Sequence, residues 1–186
     1  MLSMLGGVVG DSAVWRAQSE FGKAWMFKHP SPWDYMFFMS NALKRDLGWF
    51  WYYWLFTTES VDGAIESVTT AGGATTVTVR EAGQMPSPVV LKVQFEPTGP
   101  AIRPMANAKM VDSATAIVTW PVDVWFTGNK TFKADLKFGA RKIVKVMFDP
   151  GCRFPDHDPS DNVWPKSAAP APAQGRGGFG GGPSCG

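Results

Sequence analysis

The sequence predicts an α+β chain in three parts. These are a helical segment over residues 1–62, an antiparallel β-sandwich over residues 63–165, and a disordered Gly/Pro/Ala-rich tail over residues 166–186. Three observations carry this reading. Fifteen of the twenty-five aromatic residues lie between Trp15 and Phe56, where apolar side chains recur at helical spacing. From about Ala64 onward the apolar period falls to two, the spacing of half-buried strands. Residues 165–186 hold four Pro and seven Gly, half of that stretch, and such a composition does not bury enough apolar surface to offset its ordering entropy.

The helical elements follow in order. Leu2, Leu5 and Val9 lie at i, i+3 and i+7, a short amphipathic turn weakened by Gly6 and Gly7. Gly10-Asp11 offers a break and a cap. Val14, Ala17, Phe21 and Trp25 then mark one face of a second helix, which His29-Pro30 brings to an end. Ser31-Pro32-Trp33-Asp34 opens a third: Ser31 caps, Pro32 fits the first helical position, and Asp34 stands where a capping box wants an acid. Met36, Met39 and Leu43 continue its buried stripe, and Asp46 caps the aromatic helix that follows.

The strands are read by alternation. Val77 and Val79 oppose Thr76, Thr78 and Arg80; Val89, Leu91, Val93 and Phe95 repeat the pattern after a Pro-containing turn. Val122, Val124 and Phe126 are expected to form a further strand, returned by Thr127-Gly128-Asn129 through Phe132, Ala134, Leu136 and Phe138. Residues 67–71, 114–120 and 144–148 supply the remaining strands. Short strands without interleaved helices imply an antiparallel sandwich of immunoglobulin-like type, not a βαβ sheet.

Composition excludes several functions. Eighteen basic against sixteen acidic side chains leave a net charge of +2, no phosphate-binding surplus, so nucleic acid is not an expected partner. Two cysteines, Cys152 and Cys185, give no disulfide framework or Cys-rich zinc site; they could pair only if the tail folds back, and a solitary thiol in each case is the preferred reading. The apolar start, residues 1–9, lacks the basic flank and cleavage pattern of a signal peptide. Residues 47–56 are too short to span a bilayer, so no transmembrane segment is expected.

The segment Trp25-Met-Phe-Lys-His-Pro-Ser-Pro-Trp-Asp34, followed by Asp46-Leu-Gly-Trp-Phe-Trp51 and Trp54-Leu-Phe-Thr-Thr58, resembles a stretch of the membrane alanyl aminopeptidase family of zinc metallopeptidases, the gluzincins. In that family these helices follow the catalytic site, and bacterial members continue into a β-sandwich ending much as this chain does at Phe154-Pro-Asp-His-Asp-Pro-Ser-Asp-Asn-Val-Trp-Pro165. The likeness spans roughly residues 2–165. It implies that residues 1–62 are the end of a gluzincin catalytic domain, and that the complete relative removes N-terminal residues from peptides. It also implies an extracytoplasmic place for that relative: periplasmic, secreted or membrane-associated.

The family's zinc is held by the two histidines of H-E-x-x-H and a glutamate on the next helix, with a downstream tyrosine on the oxyanion. A catalytic zinc needs three protein ligands and an open position. His29 and His157 do not supply them, and Tyr35, Tyr52 and Tyr53 do not match the tyrosine's position. The resemblance therefore places the catalytic groups upstream of Met1. No catalytic, metal-ligating or cofactor-binding residue is assigned here; zinc and peptide substrate belong to the full-length relative, and this chain alone is expected to be inactive. Self-association through exposed helical surface is expected of it.

The individual candidates have plainer readings. His29 is expected as a cation at a helix C-terminus, and Asp34 as a helix-start acid. The aromatic block at residues 49–56 could line a pocket for apolar side chains, but packing between the helices and the sandwich is the preferred role. Residues 156–162, DHDPSDN, have acids spaced like a calcium loop but lack its glycine and distal glutamate, so Asx turns capping local backbone are preferred. A second functional reading is a free-standing extracytoplasmic binding module, for which an outward-facing Trp125 would be the support.

Overall fold

The computed structural model describes residues 1–166. The expected tail at 166–186 and Cys185 thus lie, but for Lys166, outside the described residues. The chain divides into two compact units, Met1–Glu59 and a second beginning at Ser60. The first is all helix; the second holds two open antiparallel sheets.

Helices α1 (Leu2–Val9) and α2 (Asp11–Trp25) are separated by Gly10, whose φ of 93° lies in a region open to glycine at little cost. Helix α3 (Pro32–Ala42) starts on the expected capping box. The Asp34 N–H donates to Ser31 Oγ at 3.3 Å, and the Ser31 N–H donates to Asp34 Oδ2 at 2.8 Å. Helix α4 (Gly48–Phe56) has Leu47 as its N-cap; Asp46, one residue earlier than a true cap, accepts the Gly48 N–H at 2.9 Å. Leu5, Val14, Ala17, Met36, Met39, Leu47, Phe50 and Trp51 form this unit's core.

In the second unit β1 (Gly63–Ala71), β2 (Ala74–Glu81) and β6 (Thr131–Leu136) make a three-stranded sheet ordered β1-β2-β6. Strands β3 (Val89–Phe95), β4 (Ala108–Asp112), β5 (Thr115–Trp120), β7 (Ile143–Phe148) and β8 (Val163–Trp164) make a second, ordered β4-β5-β3-β7-β8. Alternation decides what is buried. Val77 and Val79 on β2, and Val89, Leu91 and Val93 on β3, are fully enclosed, as are Ala134 on β6 and Val146 on β7.

The two sheets meet at specific contacts. Phe95 on β3 packs edge-on against Phe138 beyond β6, with ring centroids 5.0 Å apart, and Trp120 on β5 meets Phe132 on β6 at 5.6 Å. Gly63 on β1 lies so close to the Phe148 ring of β7 that any Cβ there would overlap it.

One element differs in kind from expectation. Residues 122–125 form a short 3-10 helix, not a strand. Pro121 lacks the N–H a ladder needs, and the inward side chains are Val122 and Trp125, a helical i, i+3 pair. Trp125 is therefore buried at 6% exposure, donating its indole N–H to the Ser87 carbonyl at 2.8 Å. An outward Trp125 is thereby corrected.

Candidate functional site

The helical unit carries a groove of about 540 Å³ formed by α3, α4 and the turn between them. Helical periodicity builds it. On α3, Met36 and Met39 point into the core, which leaves Trp33 and Phe37, one turn apart, on the outer side at 55% and 71% exposure. On α4, Phe50 and Trp51 are buried while Tyr52 and Phe56, again i and i+4, stay exposed.

The rings order one another. Trp33 stacks on Phe56 with centroids 5.5 Å apart and on Phe37 at 6.5 Å. The floor is chemically satisfied: Trp51 donates its indole N–H to Ser40 Oγ at 3.1 Å, and Ser40 donates to the Met36 carbonyl at 2.9 Å. Asp46 is the one charged residue in the lining. The lining is mainly apolar and aromatic, its Ser40 hydroxyl is engaged by Trp51 and Met36, and its Asp46 carboxylate accepts the Gly48 N–H, an arrangement suited to association.

The aromatic block is thus split. Phe50 and Trp51 serve the core within the helical unit, whereas Tyr52, Leu55 and Phe56 remain exposed, which corrects the expectation that the block as a whole is packed away. The outer face formed by Trp33 and Phe37 has a signal in the sequence, an i, i+4 aromatic pair off the Met36/Met39 stripe.

His29 does not serve the end of α2. That helix stops at Trp25, and Lys28, over the Trp25 ring at 5.8 Å, donates its Nζ to the Ala24 carbonyl at 2.9 Å. Asp34 is held below the usual carboxylate range by its hydrogen bonds from Ser31.

The loop at residues 154–164 is tied to the start of β1. The Gly63 N–H and the Asn162 amide both donate to Asp156 Oδ2 at 3.1 Å, and the His157 N–H donates to the Val61 carbonyl at 2.9 Å. Asp156 also accepts the Asp158 N–H, and Asp158 accepts the Ser160 N–H, so these carboxylates act as Asx caps. Asp62 and Asp161 titrate above the ordinary carboxylate value. Burial is the main cause for each, followed for Asp62 by the charge of Asp156 and for Asp161 by that of Asp158.

Among the described residues no group of three or more His, Cys, Asp or Glu side chains is placed to hold a metal ion. The zinc chemistry implied by the resemblance therefore has no fitting donor set there, and no step is derived through it. Cys152 is disulfide-bonded, which corrects the expectation of a solitary thiol. No described helix is long and apolar enough to cross a membrane.

No protein-family model matches the chain, and no curated protein matches it.

Proposed function

We propose that this chain is the C-terminal portion of a zinc-dependent aminopeptidase-like metallopeptidase, itself without catalytic activity, whose helical unit docks against the part of the protein that carries the zinc site. The observation that carries the reading is the groove on α3 and α4. The K-H-P-x-P-x-D and D-L-x-W-F-W patterns run into the starts of these two helices, which display Trp33, Phe37, Tyr52 and Phe56 to solvent. Four half-exposed or more exposed aromatics on one small unit are the signature of an interaction surface. In this reading the sheets are the immunoglobulin-like sandwich that follows a gluzincin catalytic region. The groove then serves association, and hydrolysis of N-terminal residues belongs to the upstream part.

The test is to translate the DNA preceding the Met1 codon and assay the proteins. The reading expects an in-frame H-E-x-x-H segment upstream, no turnover of aminoacyl reporter substrates by the present chain with added zinc, and turnover by the extended protein. Chelator-sensitive cleavage by the present chain would sink the claim that it is inert. A stop codon and a ribosome-binding site directly upstream would favour a free-standing binding module, a reading that has lost its support from Trp125.

A further inference from the structure

A further display of apolar surface in the helical unit lies at the end of α2, away from the groove's lining. Phe27 is 97% exposed and Met26 is 55% exposed. Phe27 moreover holds a φ of 59°, a left-handed conformation costly for a bulky side chain. A strained backbone that points a whole phenyl ring into solvent gains nothing from folding at that position.

The surrounding charge narrows what the ring meets. Between Phe21 and Trp33 the ionisable side chains are Lys23, Lys28 and His29, with no carboxylate. Lys23 and Lys28 are exposed; the Lys28 Nζ lies over the Trp25 ring and gives one of its three donors to the Ala24 carbonyl, leaving the others for an anion. The carboxylates that flank the segment are Glu20, a turn earlier on α2, and Asp34, which is bound to Ser31. The segment is therefore an exposed apolar tip, Met26-Phe27, whose charged neighbours along the chain are Lys23 and Lys28.

We infer that this tip is a peripheral membrane contact, with Phe27 and Met26 entering the interfacial layer of a bilayer and Lys23 and Lys28 resting on anionic headgroups. The chemistry matches on both counts. Aromatic and aliphatic side chains at the interface gain from leaving water, and lysines extend their stems through apolar surface while the ammonium stays with phosphate. A surface of anionic lipid complements Lys23 and Lys28, and each lysine near such a surface strengthens binding by about fivefold. The inference is independent of the peptidase reading, since it uses neither the groove nor the zinc-bearing part.

The experiment is co-sedimentation of the full chain with sucrose-loaded vesicles, either phosphatidylcholine alone or phosphatidylcholine with about a third phosphatidylglycerol. Partition is expected to be at least about fivefold stronger into the anionic vesicles and to weaken as salt screens the lysines. Phe27→Asp is expected to lower it by about tenfold or more, as loss of a buried phenyl ring implies, with an unchanged circular dichroism spectrum. The double variant Lys23→Glu, Lys28→Glu is expected to abolish the preference for phosphatidylglycerol. Phe37→Asp, which alters the groove, is expected to leave partition as it was.

Equal partition into both vesicles, or no partition, overturns the inference. So does partition lost with Phe37→Asp but kept with Phe27→Asp, which would assign uptake to the groove. Absence of partition together with Phe27 protected from hydroxyl-radical oxidation only on self-association would assign the tip to a second copy of the chain.

Discussion

The helical unit and the sheets treat their aromatic residues in opposite ways. In the sheets, Phe95, Phe138, Phe148 and Trp125 are buried, and of the larger apolar side chains Val111, Phe126 and Val144 are exposed. In the helical unit, Trp15, Phe27, Trp33, Phe37, Tyr52 and Phe56 are all more than half exposed. The difference teaches that the sheets have found partners for their apolar faces within the chain, and that four short helices with an eight-residue core have not.

The comparison breaks most visibly at Phe50. Phe50→Ala removes a fully buried ring from the small helical core and is expected to cost about 3–5 kcal/mol there. Two-probe thermal melts, far-UV circular dichroism for helix and the infrared amide I β-band for the sheets, should show the helical transition moving down while the sheet transition holds. A common shift of both would mean that the units do not melt separately.

The next effect concerns association. Phe37→Asp at the groove is expected to reduce self-association several-fold without loss of helicity, read by sedimentation at several concentrations. An unchanged sedimentation profile would remove the groove as the sticky surface.

Smaller effects come from the carboxylates and sharpen the contrast by sign. Asp34 titrates lower in the folded chain than in the unfolded one, so its contribution to α3 is present above the unfolded value and is lost as pH falls through the folded value. Ser31→Ala should lower the helical melting temperature by a few degrees at neutral pH, with the difference closing in acid. Asp62 is the opposite case. Burial first, and the charge of Asp156 second, raise its folded value, so ionisation favours unfolding once pH rises through that value. Asp62→Asn is therefore expected to raise the melting temperature of the sheets at neutral pH, with the gain fading below about pH 4. An equal gain at all pH values would point to packing and not to charge.

The local elements were legible because their causes are local. Ser31-Pro32 with Asp34 starts α3 through bonds made within four residues, and Val77/Val79 or Val89/Leu91/Val93 alternate because a pleated strand turns every second side chain inward. Residues 122–126 show where this stops. Val122, Val124 and Phe126 alternate as a strand would, but Pro121 lacks a ladder donor and the core position open to Trp125 lies beside Ser87, 38 residues away. Strand β4 was missed for a related reason: Ala108–Asp112 carries no alternation of its own and is a strand only through its pairing with β5.

By itself, then, the sequence determined the four helices and the alternating strands, with residues 122–126 and β4 as the exceptions, and where α3 begins. Only the tertiary structure decided which side of each aromatic helix is left open. Periodicity says that Met36 and Phe37 face different ways, but not which of them meets a neighbour, because burial depends on what the rest of the chain brings to that face. The same holds for residues 156–162. Their spacing suits either a cation or backbone caps, and it is the arrival of Gly63 and Asn162 at Asp156 that commits its carboxylate to hydrogen bonds.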